Sequence, residues 1–412
     1  MALGHTSAKW RRGALALTLG VVLASCAPGS FQIGSRTLGW GEPAANVRGG
    51  NSGGTLTPMP QSGGEVFGRG PVSVALLLPL SGDQSLAAVG TSLANASKLA
   101  VAFIEANPNI AENITITLRD TGDSPAGAIN AANAAVAGGA KLILGPLRGD
   151  QVAAVANVAR GAGVPLIGFS NNPSTAGQGV YLLSVLPDME MKRALTYVKA
   201  QGRRGLAGAF PATPYGEALA TAFRQQAVAA GFGAPDVYTF SGPGEAAQIV
   251  AQAKQQIDRG MIDAFFIPER ASAPAFAAAL AGSGVTGEAV QIVGSADWAG
   301  DATINATPGL AGAIYPAVDE AGFNAIAGDY QARFGSRPPP LATIAYTATI
   351  LANVNTLSMA SPPYNPALLT SASGFNGRDG AFRFLGNGRA EYALVVKKVG
   401  SGGATTVDGA KL

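Results

Sequence analysis

Histidine and cysteine are all but missing from this chain. Its 412 residues include one of each, His5 and Cys26. Both lie near the start, next to a segment with the layout of a secretory signal. Lys9, Arg11 and Arg12 form a basic patch, and residues 13–23 are an uncharged, largely apolar run. That run is shorter than the roughly 20 apolar residues needed to cross a bilayer, and small residues follow it. Cleavage near Ser25 would remove His5. The expected mature chain then has no imidazole, which excludes Ser-His-Asp and Cys-His catalysis, His/Cys zinc sites and haem axial histidine. A Ser-Lys or carboxylate mechanism is not excluded by composition, but no constellation supports one. We therefore expect no enzyme, no metal and no cofactor.

Charge is also sparse. Charged residues are 13% of the chain, against the usual quarter. The formal net charge of +3 is accounted for by Lys9, Arg11 and Arg12. The expected mature chain is neutral, with no basic block to suggest nucleic-acid binding. Aromatic residues, at 7%, are too few for a base-stacking platform. Alanine and glycine are abundant instead, which predicts close helix–sheet packing.

The lone cysteine has its own context. Leu23-Ala24-Ser25-Cys26 resembles the lipobox of bacterial lipoproteins. That resemblance implies a signal peptide over 1–25, acylation of Cys26 and a membrane anchor, since two or more acyl chains hold stably. Ala27 stands where some lipoproteins carry an Asp that retains them at the inner membrane. The resemblance thus implies a periplasm-facing lipoprotein of the bacterial envelope, at the outer membrane. Residues 27–70 are rich in Gly, Ser and Pro without apolar periodicity, and read as a flexible linker. A coil of that length spans on the order of 35–40 Å.

From residue 71 the pattern alternates strand and helix. "VSVALLLP" reads as a buried strand, and Val89, Leu93, Ala96, Leu99 and Phe103 mark a helix over 84–107. "NITITLRD" alternates, Ser124-Pro125 starts a helix, "KLILG" is strand, and Asp150 is expected to cap the next helix. "GVPLIGFS" is strand again. A second series runs through "RRGLAGAF", a helix over 214–230, "DVYTF", a helix over 245–258, "IDAFFIP", a helix over 272–281, "EAVQIVG" and "GLAGAIYP". Helices over 323–334 and 341–359 follow, then a hairpin turning at Asn387-Gly388. Two such series predict an α/β fold of two lobes, each a mostly parallel sheet flanked by helices. Ligands of open parallel sheets bind beyond the carboxyl ends of the strands. The loops 79–85, 145–151, 168–174, 210–217, 267–273 and 294–300 are those ends.

At these loops the chain resembles the type I periplasmic binding fold, specifically the Leu/Ile/Val-binding protein group. The resemblance rests on "VALLLPLSG", "RDTGDSPAGAINAAN", "LILGPL", "VPLIGFS" and "YGEALATAFR", in that order. It implies two lobes joined by three crossovers, lobe 1 over 71–187 and 316–370 and lobe 2 over 188–315 and 371–412. It also implies closure on a small amino-acid-like or amide ligand for an ABC permease. That family holds its ligand with Ser/Thr side chains and an acid. The positions that match are Ser81, Ser170, Tyr215 and Asp297, with Asp188 near the first crossover. The chain departs from the pattern where a Ser-rich loop is replaced by Leu147-Arg148-Gly149, and where Asn171-Asn172-Pro173 follows "GFS". Arg148 either grips a carboxylate, fills the cleft, or is a solvated loop residue. Tyr215 and Trp298 are either ligand walls or packing. "GPLR", "SNNP" and "YLLSVLPDMEMKRAL" also resemble a second branch, the lipoprotein activators of penicillin-binding proteins. That branch implies contact with a peptidoglycan synthase.

Overall fold

A computed structural model describes residues 64–412. Cys26, the signal segment and most of the expected linker lie outside the described residues. The first sheet contains β1 (Glu65–Phe67), β2 (Val72–Leu78), β3 (Ile114–Asp120), β4 (Leu142–Leu144), β5 (Leu166–Gly168) and β6 (Val180–Leu182), in the order β1-β3-β2-β4-β5-β6. All its pairings are parallel except β1 with β3. β1 falls inside the stretch read as linker. A three-residue run between glycines shows no periodicity, yet its backbone pairs Val66 with Thr117 and extends the sheet.

The second sheet runs β16-β15-β11-β10-β9-β7-β8, with β7 (Leu206–Pro211), β8 (Asp236–Phe240), β9 (Ala264–Phe266), β10 (Gln291–Val293), β11 (Ile314–Ala317), β15 (Leu394–Gly400) and β16 (Gly403–Lys411). A small antiparallel sheet is formed by β12 (Phe375–Gly377), β13 (Gly380–Phe384) and β14 (Ala390–Tyr392).

Strand alternation sends side chains to two faces, and each face meets its own helices. Val74, Leu76 and Leu78 pack with helices Gln84–Ala106 and Ala342–Asn353, while Ala75 and Leu77 pack with Pro125–Ala137 and Gly149–Ala162. The helix at 125–137 offers only alanines among its fully buried residues, Ala128, Ala131, Ala132 and Ala135. Small side chains let it lie close to the sheet. Helix Gln84–Ala106 is long and apolar enough to cross a membrane. Its Leu93, Ala96, Leu99 and Ala100 are buried in the first core instead. In the second lobe Phe265 and Ile267 face helices Ala246–Asp258 and Ala273–Gly282. Ala264 and Phe266 face Pro187–Ala200 and Pro214–Ala229.

Three expected boundaries shift. Phe382, Phe384, Ala390 and Tyr392 belong to the first core, so the small sheet joins lobe 1, where the sequence reading resumed lobe 2 at 371. The chain returns to the second sheet at β15. The helix expected over 341–359 divides at Val354, where the backbone turns extended. The N-cap position of helix Gly149–Ala162 is Arg148, and Asp150 lies in its first turn. The Asp150 carboxylate is already engaged by the Arg148 side chain and by the Gln151 N–H.

Candidate functional site

The carboxyl ends of the two sheets meet at a small cleft. Lobe 1 contributes Asn171 after β5, Ser184 and Val185 after β6, and Leu341 and Ile344 from the N-cap and first turn of helix Ala342–Asn353. Lobe 2 contributes Glu190, Tyr215, Ala296 and Asp297. The lobe 1 wall is neutral and partly aliphatic. The lobe 2 wall carries two carboxylates and a phenol.

Each lobe 2 group is positioned locally. Gly294 ends β10, and a Cβ there would lie 2.3 Å from the Trp298 ring, so only glycine lets that ring tuck under the loop. Trp298 is fully buried in the lobe 2 core beside Tyr315, and is therefore packing rather than cleft wall. The Ser295 hydroxyl donates to the Pro268 carbonyl at 2.7 Å and accepts from the Asp297 N–H at 3.2 Å. Asp297 Oδ2 accepts from the Arg270 N–H at 3.1 Å. Glu190, 8% exposed, comes from the first turn of helix Pro187–Ala200 and accepts from the Ala296 N–H at 3.0 Å. Tyr215 stands in the first turn of its helix. Burial, then the neighbouring Glu190 and Asp297 carboxylates, pushes its phenol well above the usual tyrosine range. It stays protonated and can donate a hydrogen bond.

Of the residues expected from sequence, Asn171, Tyr215 and Asp297 come together at the cleft. The others are engaged elsewhere. Ser81 is exposed and donates to Asp120, which also accepts from the N–H groups of Leu80 and Gly122, both at 2.8 Å. Burial alone would raise the Asp120 carboxyl, but these bonds outweigh it and hold the group below its ordinary value. Arg148 forms a two-point ion pair with Asp150, Nε to Oδ1 at 3.0 Å and Nη2 to Oδ2 at 2.8 Å. Ser170 is buried, and its hydroxyl accepts from the Asn172 N–H at 3.1 Å. Asn172 Oδ1 in turn caps the short 173–175 turn through Ser174 N–H and Oγ. These contacts shape the lobe 1 rim rather than face the cavity. Gly145 starts that rim with φ +80°, and a Cβ there would meet the Leu77 carbonyl at 2.1 Å.

Asp188 belongs to the hinge. Its Oδ2 meets Arg389 Nη1 at 3.3 Å, and Lys192 one turn on meets Glu391 at 3.0 Å. Arg389 immediately precedes β14 and Glu391 lies within it, just before the third crossover. Arg193, 7% exposed in its side chain, donates to the Leu394 carbonyl and the Asp408 carboxylate, each at 2.7 Å. Lys397 pairs with Glu320 on the second crossover. The three crossovers are thus tied to one another by charged contacts.

Glu190 was missed from sequence, because 180–202 received no element assignment. The signal was present. Pro187 begins the helix, Asp188 and Glu190 fill its first turn, and Met191, Ala194, Leu195 and Val198 recur at helical spacing.

The comparisons agree with this fold. The family profile for periplasmic binding protein matches residues 71–404. No curated protein sequence matches the chain. Many solved structures share the fold, among them the following three. One, from Rhodospirillum rubrum, is described as a branched-chain amino acid ABC transporter. It is 17% identical at a TM-score of 0.71, over 82% of this chain and 99% of that one. A leucine binding protein from Thermotoga maritima is 18% identical, at a TM-score of 0.56 over 82% of this chain and 99% of its own. The LpoA C-domain from Haemophilus influenzae, a regulator of PBP1A, is 16% identical. Its TM-score is 0.63, over 81% of this chain and 99% of that domain. The chain belongs to the periplasmic binding protein family, a non-enzymatic family of two-lobed binding proteins.

Proposed function

We propose that this chain is a lipid-anchored solute receptor of the bacterial envelope. In this reading Cys26 carries the anchor and places the protein at the periplasmic face of the outer membrane, and the linker gives the lobes reach. The lobes close on a small amino-acid-like or amide molecule, which passes to an ABC permease. Closure needs no special machinery: a ligand that binds the closed arrangement better than the open one shifts the balance toward it. The observation that carries the reading is the cleft itself. Asp297, Glu190 and Tyr215 converge on one side, with Asn171 and Ser184 opposite. These groups suit an ammonium or amide, and Val185, Leu341 and Ile344 suit an aliphatic body.

A second reading is regulation of a peptidoglycan synthase by contact. Two observations favour it: the likeness to the LpoA C-domain, and the lobe 1 rim whose Arg148 and Ser170 are turned to local partners.

A thermal-shift screen separates the two, run with amino acids, small amines, small amides and peptidoglycan peptides. A ligand at 100 times its dissociation constant adds about 2.7 kcal/mol, enough to raise Tm by several degrees. A rise with one compound class, lost in Asp297→Asn, supports the receptor. Silence across the library, with capture of a peptidoglycan synthase, would replace it with the second reading.

A further inference from the structure

We infer that the C-terminal strand β16 is a positioning element for the cleft, acting through Arg193 on Glu190. The inference deepens the receptor reading above, which makes Glu190 a cleft group, but its test needs no ligand, so either can fail alone. β16 adds little to the core. Its Ala404 packs half-buried against the lobe 2 core, while Thr405, Thr406 and Val407 are exposed. What it adds is a set of acceptors. Asp408 pairs with Val396 and Lys411 with Leu394, so β16 holds one residue more than β15 between those pairs, and Val407 is extra between Thr406 and Asp408. Such bulges break the ladder and re-aim the groups beside them. Here Asp408 Oδ2 and the Gly409 carbonyl both accept from Arg193 Nη2, at 2.7 and 2.9 Å. Arg193 Nε donates to the Leu394 carbonyl of β15 at 2.7 Å. A buried guanidinium needs such a counter-charge, and the last strand supplies it.

Arg193 and Glu190 stand about one turn apart on helix Pro187–Ala200. Three other kinds of contact hold that helix. Met191, Ala194, Leu195 and Val198 pack with Val396 in the lobe 2 core, through apolar contacts that have no preferred direction. Asp188 and Lys192 pair with Arg389 and Glu391, at the small sheet of lobe 1. Lys199, exposed near the far end, donates to the Gly231 carbonyl. Arg193 ties the cleft end of the helix to lobe 2 by three charge-assisted bonds, each with a preferred direction. It thereby fixes how the helix is turned and where Glu190 lies. Glu190 makes the next link, because its Oε2 accepts from the Ala296 N–H at 3.0 Å, at the start of the turn that carries Asp297. The Trp298 N–H is bonded within that turn, to the Ser295 carbonyl at 3.1 Å. The Ala296 amide thus reports on the placement of Glu190, and the Trp298 amide on the turn itself.

The test is amide hydrogen exchange of the full chain, resolved at Ala296, Trp298 and, in the lobe 2 core, Phe265. Asp408→Ala should speed exchange at Ala296 by about tenfold or more and leave Trp298 and Phe265 within about twofold. Lys411→Ala removes the exposed partner of the same carboxylate and should leave Ala296 within about twofold. Glu190→Ala sets the largest effect at Ala296, and adding Asp408→Ala to it should change nothing further there. Asp408→Asn keeps an oxygen for Arg193, serves if the alanine variant does not fold, and should give a smaller rise of about threefold. Unchanged exchange at Ala296 would overturn the inference. A rise shared by Phe265 would also overturn it, making β16 a general support of lobe 2. So would a further rise in the double variant, which would route the influence of Asp408 around Glu190.

Discussion

The two lobes place their rings differently: the first gathers Tyr181, Phe375, Phe382, Phe384 and Tyr392 around its small antiparallel sheet and buries mainly Val, Leu and Ile in β2, β4 and β5, whereas the second carries rings in the strands of its main sheet. Phe210, Phe223 and Phe266 form one cluster with centroids 5.4–5.9 Å apart, and Phe240, Phe265 and Phe276 form another. The contrast extends to the cleft. Lobe 1 spends its polar rim residues on its own loops and offers a neutral, partly aliphatic wall. Lobe 2 aims Glu190, Asp297 and Tyr215 at the cavity. One wall is neutral and the other carries two carboxylates and a phenol. A shared plan of parallel sheet and flanking helices therefore does not imply shared work. What each lobe does is decided by the residues just past its strands.

The comparison is broken most severely from the core. Phe266→Ala removes a ring from the middle of three and should cost about 3–5 kcal/mol. Urea unfolding should show that loss, while affinity for a ligand found in the thermal-shift screen, measured below the transition, changes little. The aliphatic counterpart, Leu76→Ala, should cost about 2–5 kcal/mol by the same measurement. An equal loss of affinity in both variants would mean that the cleft depends on global stability rather than on its lobe 2 wall.

The hinge gives a smaller effect. Glu391 accepts from Lys192 and Arg383, and these partners outweigh burial to hold its carboxyl below the ordinary value. A carboxylate with a lowered folded value stabilises fully above the ordinary glutamate range, and that share is lost as pH falls through the lowered value. Glu391→Gln should therefore lower stability by about 1 kcal/mol at neutral pH and flatten the acid limb of a Tm-against-pH curve. Unchanged acid sensitivity would place the pH response elsewhere, with Asp120 the next group to change. The smallest effect is expected at Arg148. Its pair with Asp150 is partly exposed, and Arg148→Ala should shift stability by less than about 1 kcal/mol.

Much of the fold was legible because its strands are short apolar runs bounded by turn residues. Val72–Leu78, Asp236–Phe240 and the alternation of Ile114, Ile116 and Leu118 follow directly from such patterns. The lobe boundary near 371–392 was not legible. Whether Phe382 and Phe384 pack on one lobe or the other depends on Tyr181 and other residues distant in sequence. The site was half legible for the same reason. Asn171, Tyr215 and Asp297 follow strand ends, where position alone points to them. Glu190 reads as an ordinary charge in a helix's first turn. Its burial is set by the Ala296 N–H, 106 residues further on. Ser81, Arg148, Ser170, Asn172 and Asp188 also stand at strand or helix ends. Their local hydrogen bonds, which no spacing rule reveals, direct them to the rim and hinge.

The most direct test of this division of labour is calorimetric titration of a ligand found in the thermal-shift screen into the wild-type chain, Asp297→Asn and Arg148→Ala, side by side. Asp297→Asn, which removes the charge proposed to meet the ligand, should weaken binding by about 10–100-fold, the scale of one lost charge-assisted hydrogen bond. Removing Arg148 should leave the affinity within about twofold. A large loss in Arg148→Ala with little change in Asp297→Asn would contradict the account, moving the ligand's charged contact from lobe 2 to the rim of lobe 1.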